Sequence, residues 1–98
     1  MLFGNKVRES REKKGLLLRE VAALLEVDTA TVSKIERGDR QAKEAQLITL
    51  AKILDADFNE LKTLWLASKV YEIVEGEDKA IDALKVVEKE IKPYQKNE

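Results

Sequence analysis

The feature that most limits the fold is the spacing of apolar residues at intervals of three and four along most of the chain. Only four glycines and one proline interrupt a sequence of 98 residues. This spacing builds helices with one apolar stripe and one solvated face, and it disfavours strands joined by tight turns. We therefore expect an all-α protein, and the length suits a single domain with one core.

The pattern predicts six helices, and residues typical of helix ends lie at their boundaries. Gly15 follows the first helix, Asp28 can cap the start of the third, and Gly38 ends the third. Asp57 opens the fifth helix and Pro93 stops the sixth. The predicted helices cover approximately residues 5–14, 18–25, 29–37, 45–54, 58–75 and 79–92.

The composition argues against catalysis. Cysteine and histidine are both absent, which removes the commonest zinc ligands, the cysteine nucleophile and the commonest general base. Two groups of neighbouring carboxylates could act as acids or bases, namely Asp55 with Asp57, and Glu75 with Glu77 and Asp78. Both groups fall at predicted helix ends, where acidic residues favour the positive end of the next helix. We expect no enzyme activity, no catalytic residue, no metal and no cofactor.

The sequence also suggests a compartment. A chain without cysteine suits a reducing cytosol. No apolar run approaches the roughly 20 residues that span a bilayer, and the beginning of the chain lacks the pattern of a secretion signal. We expect a cytoplasmic protein with no membrane partner.

Two short helices joined by a turn, residues 18–25 and 29–37, indicate a possible function. Val32 and Ile35 are the only large apolar residues of the second helix, so a narrow stripe faces the core and the outward side is polar. The major groove of DNA is about 12 Å wide and admits one such helix. The first part of the chain, which contains both helices, also has the more positive charge balance: residues 1–41 hold nine Lys and Arg against seven Asp and Glu, whereas residues 42–98 hold nine against twelve. A generic helical bundle would show the same periodicity, so the pattern alone leaves both interpretations open.

Four stretches of the chain resemble the helix-turn-helix domain of phage-repressor-like regulators, of the Cro-like and xenobiotic-response-element type. They are residues 7–15, 20–22, 32–38 and 47–54, and the most specific are the Ser-Lys-Ile-Glu-Arg-Gly run at 33–38 and the Arg-Glu-Lys-Lys-Gly run at 11–15. The resemblance covers about the first 58 residues. It implies a five-helix repressor-like bundle over residues 1–75, and a transcriptional regulator related to restriction-modification controllers, phage repressors or antitoxins.

The resemblance also implies which residues touch DNA. A lysine can donate to guanine O6 and N7, a threonine methyl can meet the methyl group of thymine, and an arginine can bind a phosphate. Base-edge contacts are implied for Thr29, Ala30 and Lys34; contacts to bases or phosphates for Thr31, Ser33 and Arg37; and further phosphate contacts are expected from Arg40, Arg19 and Lys14.

Two pairs of residues concern the structure around this motif. In family members the positions of Arg11 and Glu36 hold an ion pair that ties the first helix to the end of the recognition helix; the alternative is two unrelated surface charges. The family usually has a polar cap followed by glutamine at the start of the second helix. Leu17 and Leu18 occupy these places here, so we expect at least one of them to pack into the core or against Leu2 and Phe3.

The last two helices carry more apolar surface than one small core needs. One recognition helix touches too few base pairs to select a site in a genome, so we expect a homodimer that reads an inverted repeat, with recognition helices about 34 Å apart. The alternatives are that residues 76–98 only complete the core, or that the chain is an antitoxin or adaptor whose C-terminal helices bind a partner protein. No site for a small-molecule ligand is evident. The candidate interface residues are Trp65, Leu66, Tyr71, Ile81, Leu84, Val87 and Ile91.

Overall fold

The computed structural model describes residues 2–94, and within them the protein is entirely helical. The elements are α1 (Phe3–Lys13), α2 (Leu18–Leu25), α3 (Thr29–Arg37), α4 (Glu44–Leu54), α5 (Phe58–Val74), α6 (Ala80–Ile91) and a 3₁₀ turn at Lys92–Tyr94. The predicted all-α class is confirmed, and α2 and α3 begin and end where the sequence places them. Residues 95–98 lie outside the described residues.

Helix α1 begins two residues earlier than predicted, and tertiary packing is the reason. Phe3 is buried in the core, and its backbone N–H donates to Ser68 Oγ of α5 at 3.1 Å. Gly4 is buried because α1 starts directly against the end of α3. A Cβ on Gly4 would lie 2.5 Å from the carbonyl oxygens of both Ile35 and Glu36, so only glycine fits there.

The predicted aspartate caps are present at two helix starts. Asp28 Oδ1 accepts from the backbone N–H of Thr31 at 2.8 Å, and Asp57 Oδ2 accepts from that of Glu60 at 2.9 Å. Each carboxylate satisfies an amide that has no partner inside its own helix. At the other end of α3, Gly38 takes a left-handed φ of 82°, which only glycine adopts without strain.

Helix α2 starts without a side chain that can cap it. Leu17 has no acceptor, and instead Glu20 Oε1 accepts from the Leu17 backbone N–H at 2.8 Å, which is one half of a capping box. The Leu17 side chain is 46% exposed. Leu18, together with Leu16, packs against the core, as expected for at least one of the two neighbouring leucines.

Helices α1 to α5 enclose one core, which Trp65 helps to close. Its side chain is 5% exposed, and its indole N–H donates to the carbonyl oxygen of Ala42 at 2.7 Å. This burial corrects the expectation that Trp65 lies on an apolar face left for a partner. The indole is instead used to fix the segment between α3 and α4. The largest fully buried side chains are Leu47, Leu50, Leu61, Val7, Val21 and Val32.

Helix α6 stands apart from this core. It contains no buried residue, and it makes few close contacts with α1 to α5. Its apolar residues Ile81, Val87 and Ile91 are exposed and Leu84 is half-buried. In this single chain, therefore, α6 does not complete the core.

Candidate nucleic-acid interface

Helix α3 is held by one side only. Val32 and Ile35 are buried at 1% and 3% exposure, and α3 packs against both α1 and α2. Because successive residues of a helix point about 100° apart, burial of this stripe turns the rest of α3 towards solvent. The exposed residues of α3 and of the segment after it that were predicted to touch DNA are Thr29, Ala30, Lys34, Arg37 and Arg40.

The polar side chains of α3 differ in how far they are already engaged. Lys34 is exposed and forms no ion pair within residues 2–94. The Thr31 hydroxyl donates to Asp28 Oδ1 at 2.6 Å, which leaves its methyl group as the outward contact. Arg37 donates from Nη1 to Ser33 Oγ at 2.5 Å. Thr29, Ala30 and Lys34 are exposed, and their side chains make no hydrogen bond or ion pair within the described residues.

The carboxylate of Asp28, which caps the start of α3, interacts electrostatically with two of the residues predicted to contact DNA. Hydrogen bonds from the Thr31 hydroxyl and backbone N–H lower the pKa of Asp28 below its ordinary value, and the charges of Lys34 and Arg40 lower it further. Lys34 and Arg40 therefore lie within electrostatic range of the same helix end. The cap contributes stability above the ordinary carboxyl pKa and loses it as pH falls through the lowered value.

Arg11 and Glu36 form a two-pronged ion pair between α1 and α3. Arg11 Nε donates to Glu36 Oε2 at 2.7 Å and Nη2 donates to Oε1 at 3.1 Å. The third prong, Nη1, donates to the carbonyl oxygen of Leu16 at 2.9 Å and ties down the entry to α2. The side chains are 12% and 6% exposed, and hydrogen bonding to Glu36 raises the pKa of Arg11. The pair thus sets the angle of the recognition helix against the body of the protein.

The three outlying basic residues lie in different places. Arg40 follows α3 directly, and Arg19 is exposed in the first turn of α2. Lys14 lies with Lys13 in an open cleft of about 610 Å³ beside the turn between α4 and α5. No residue of α3 lines that cleft, so the structure does not bring Lys14 beside the recognition helix.

The same cleft contains two of the carboxylates that were considered for catalysis. Asp57 caps α5, Asp55 takes the left-handed position that ends α4, and Glu60 pairs with Lys6 at 3.5 Å. The carboxylates of Asp57 and Glu60 therefore have structural partners, and Asp55 contributes through its backbone conformation. Among residues 2–94, no group of three or more acidic side chains is arranged to hold a metal ion.

Comparison with protein families identifies this arrangement. Residues 2–64 match the model of a family described as a helix-turn-helix domain, which includes α1 to α4 and the first part of α5. The chain belongs to the helix-turn-helix family. The resemblance to helix-turn-helix regulators that was stated from the sequence is thereby confirmed.

Solved structures of other helix-turn-helix proteins are similar to this helix-turn-helix chain. The restriction-modification controller protein C.AhdI from Aeromonas hydrophila is 37% identical, with a TM-score of 0.55; the match covers 60% of this chain and 86% of C.AhdI. The clp gene regulator ClgR from Corynebacterium glutamicum is 24% identical over 88% of this chain and 86% of its own, with a TM-score of 0.58. A chain of the SinR–SinI protein complex is 22% identical over 96% of this chain and all of its own, with a TM-score of 0.54. The last two likenesses show the shared fold alone. No curated protein matches the sequence significantly.

Sequence reasoning missed two residues that shape the interface of this helix-turn-helix protein. Gly4 permits the close approach of α1 to the end of α3, and a glycine directly before the predicted start of the first helix was the available signal. Asp39 pairs with Arg37, with 3.1 Å between its Oδ2 and the guanidinium Nε. Its position two residues after an arginine predicted to bind phosphate was the available signal for this second residue.

Proposed function

We propose that this chain binds double-stranded DNA in a sequence-specific manner and regulates transcription. The observation that carries the proposal is the exposed polar side of α3, fixed to the core by Val32 and Ile35 and to α1 by the buried pair of Arg11 and Glu36. A rigid helix with one free polar side can enter the major groove without rearrangement of the protein. The likeness to the restriction-modification controller C.AhdI supports the same function.

In this proposal the contacts divide into two kinds. Lys34 reads base edges, helped by the short side chains of Thr29 and Ala30, which let the backbone of α3 approach the groove floor. Arg37 and Arg40 bind phosphates and set the register of the protein on the duplex. Helix α2 supplies fewer DNA contacts than a helix with the family's usual polar cap and glutamine would. Leu18 packs against the core, and Arg19 is the one basic residue of α2.

A pair of substitutions tests this division. Lys34→Ala is expected to narrow the difference in affinity between a selected site and an unrelated duplex by about 1 to 3 kcal/mol, which is what one bidentate base contact contributes to discrimination. Arg37→Ala is expected to weaken binding to both duplexes alike. The fall of log K with log salt should become shallower by roughly 0.9, because one phosphate contact is lost. The affinities of both variants are measured by fluorescence anisotropy, on a site selected from a pool of random duplexes and on an unrelated duplex.

Lys52→Ala, which removes an exposed charge from α4, is the matched control and should leave both affinities unchanged. Full discrimination by the Lys34→Ala protein would contradict the assignment of Lys34. Absence of duplex binding by the unsubstituted protein in low salt would contradict the function itself.

We also propose that two copies of the chain form the active species through the apolar surface of α5 and α6. Leu66 and Tyr71 on α5, and Ile81 and Val87 on α6, are each about half exposed or more in the single chain. The charges of α6 are nearly balanced between lysines and acidic residues, so two copies of the helix would not repel each other. A two-fold dimer of this kind would read an inverted repeat.

Adjacent valines on α6 provide a matched test of the dimer. Val87 lies on the stripe with Ile81 and Ile91, whereas Val86 points about 100° away from Val87. Val87→Asp is expected to convert a species of twice the 11.1 kDa chain mass into a monomer, as measured by light scattering during size exclusion. Val86→Asp makes the same chemical change at a similarly exposed site and should leave the dimer intact.

An unsubstituted protein that is monomeric at micromolar concentration would contradict the homodimer. It would instead favour the second candidate function, in which this face binds a different protein, as in an antitoxin or adaptor.

The proposed site of action is the cytoplasmic nucleoid, where double-stranded DNA is available. None of the helices among residues 2–94 has both the length and the apolar character needed to cross a membrane.

A further inference from the structure

A polar groove of about 570 Å³ runs beside the recognition helix, between α1 and α3. Asn5 and Arg8 line it from α1, and Ser33 and Arg37 line it from α3. Leu18 forms the α2 side of the groove, and its side chain offers no hydrogen-bond donor. Side-chain donors for any ligand in this groove therefore come from α1 and α3.

The arginines of the groove are not equally available. Arg11 is committed to Glu36 and to the carbonyl oxygen of Leu16, and its side chain is largely buried. Arg8 and Arg37 are exposed, with 63% and 56% of their side-chain surfaces accessible. The groove thus presents two solvated guanidinium groups from two different helices, an arrangement suited to an anion with several oxygens.

Two carboxylates line the groove, and one of them, Glu36, is already held by Arg11. The other is that of Asp39, and Asp39 Oδ2 accepts from Arg37 Nε at 3.1 Å. Glu12 accepts from Arg8 Nε at 3.3 Å, but Glu12 lies outside the groove lining. These last two ion pairs are solvent-exposed and stabilise the fold little, so either can open at small cost.

We propose that this groove binds one backbone phosphate of DNA, and that Asp39 competes with that phosphate for Arg37. This inference rests on the proposed function. In the free protein the carboxylate of Asp39 occupies the Nε–H of Arg37; in the complex a phosphate oxygen accepts in its place, while Arg8 approaches the same phosphate from α1. Asp39 then lowers the affinity for all duplexes equally, because phosphates carry no sequence information, and discrimination is left to Lys34.

The first experiment removes the competitor. Asp39→Asn is expected to bind a selected site and an unrelated duplex of equal length about three- to tenfold more tightly, with little change in the salt slope because the same phosphate is contacted in both proteins. Arg8→Gln is expected to weaken binding to both duplexes to the same extent, because it removes one of the two guanidinium groups that hold this phosphate. An unchanged affinity in the Arg8→Gln protein would overturn the two-arginine phosphate site.

A double variant separates direct competition from general charge repulsion. In an Arg37→Gln background the gain in affinity from Asp39→Asn should disappear, because the guanidinium that Asp39 holds in the free protein is no longer there. A gain that persists in that background would overturn the inference. Glu9→Gln removes one negative charge from another face of α1, where Glu9 lines a different cleft, and it should leave both affinities within about twofold of the unsubstituted protein.

The outcomes also separate this inference from the proposed function. If the unsubstituted protein binds neither duplex at low salt, the DNA-binding function itself fails. If it binds both duplexes but Asp39→Asn behaves like the unsubstituted protein, competition by Asp39 is overturned and the function stands.

Discussion

Gly4→Ala is expected to destabilise the protein by about 2 kcal/mol, although the same change at an exposed helical site would stabilise it by up to about 1 kcal/mol. The added Cβ would lie 2.5 Å from two backbone carbonyl oxygens at the end of α3, those of Ile35 and Glu36. Backbone atoms cannot rotate away as a flexible side chain can, so α1 and α3 must separate. For a chain of 98 residues this corresponds to a melting temperature lower by roughly 8 to 16 °C.

Asn5→Ala is the matched control, since Asn5 is the next residue of α1 and its side chain is exposed. It should change the melting temperature by no more than a few degrees in either direction. Thermal unfolding followed by circular dichroism at 222 nm measures both variants. An increase in stability for Gly4→Ala would mean that the contact between α1 and α3 is looser than described here.

The same contact shows why some of the fold could be predicted from the sequence and some could not. The bounds of α2 and α3 depend on local signals, namely the apolar stripe, the Asp28 cap and Gly38, and they were predicted correctly. The start of α1 depends on Phe3 and its hydrogen bond to Ser68, which is 65 residues away in the sequence. Periodicity reports which side of a helix is buried, but it does not report what the helix is buried against.

Trp65 illustrates the same limit in the candidate dimer face. Along α5 the apolar residues are too closely spaced to divide by periodicity into those that face the core and those that face outward. The structure makes the division: Leu61 and Trp65 are buried, whereas Leu66, Tyr71 and Ile73 are exposed. The indole N–H found an acceptor at Ala42, in a segment without regular structure, which no local pattern could have indicated.

The predicted DNA contacts are similarly divided by hydrogen bonds that the sequence does not reveal. Exposure of Lys34 follows from the stripe of Val32 and Ile35, and was predictable. Engagement of Thr31 by Asp28, and of Arg37 by Asp39, depends on side-chain rotamers near helix ends. These local bonds decide which polar groups of α3 can be offered to DNA immediately and which must first be released.

Glu36→Gln is expected to cost about 3 kcal/mol of unfolding free energy, because it leaves the guanidinium of Arg11 in a largely buried place without its counter-charge. The amide keeps the size of the carboxylate, but its NH₂ group would face the donors of Arg11. This loss of stability is at the lower end of the range for buried ion pairs, because the Arg11 side chain is 12% exposed to solvent and keeps its hydrogen bond to the Leu16 carbonyl oxygen. In the unsubstituted protein the hydrogen bond to Glu36 raises the pKa of Arg11, and Glu36→Gln removes this cause of the shift together with the counter-charge.

Glu12→Gln is the internal control for the Glu36 prediction, because Glu12 also approaches Arg11, at 3.9 Å, but is 56% exposed. Solvent screening should limit its cost to below about 1 kcal/mol. Replacement of both partners, Arg11→Met with Glu36→Leu, should recover most of the stability lost in Glu36→Gln, since no buried charge is left uncompensated. Urea denaturation of the four proteins measures these differences. Equal costs for Glu36→Gln and Glu12→Gln would show that the pair between α1 and α3 behaves as a solvated surface contact, and α3 would then be held at its angle by Val32, Ile35 and the close approach at Gly4 alone.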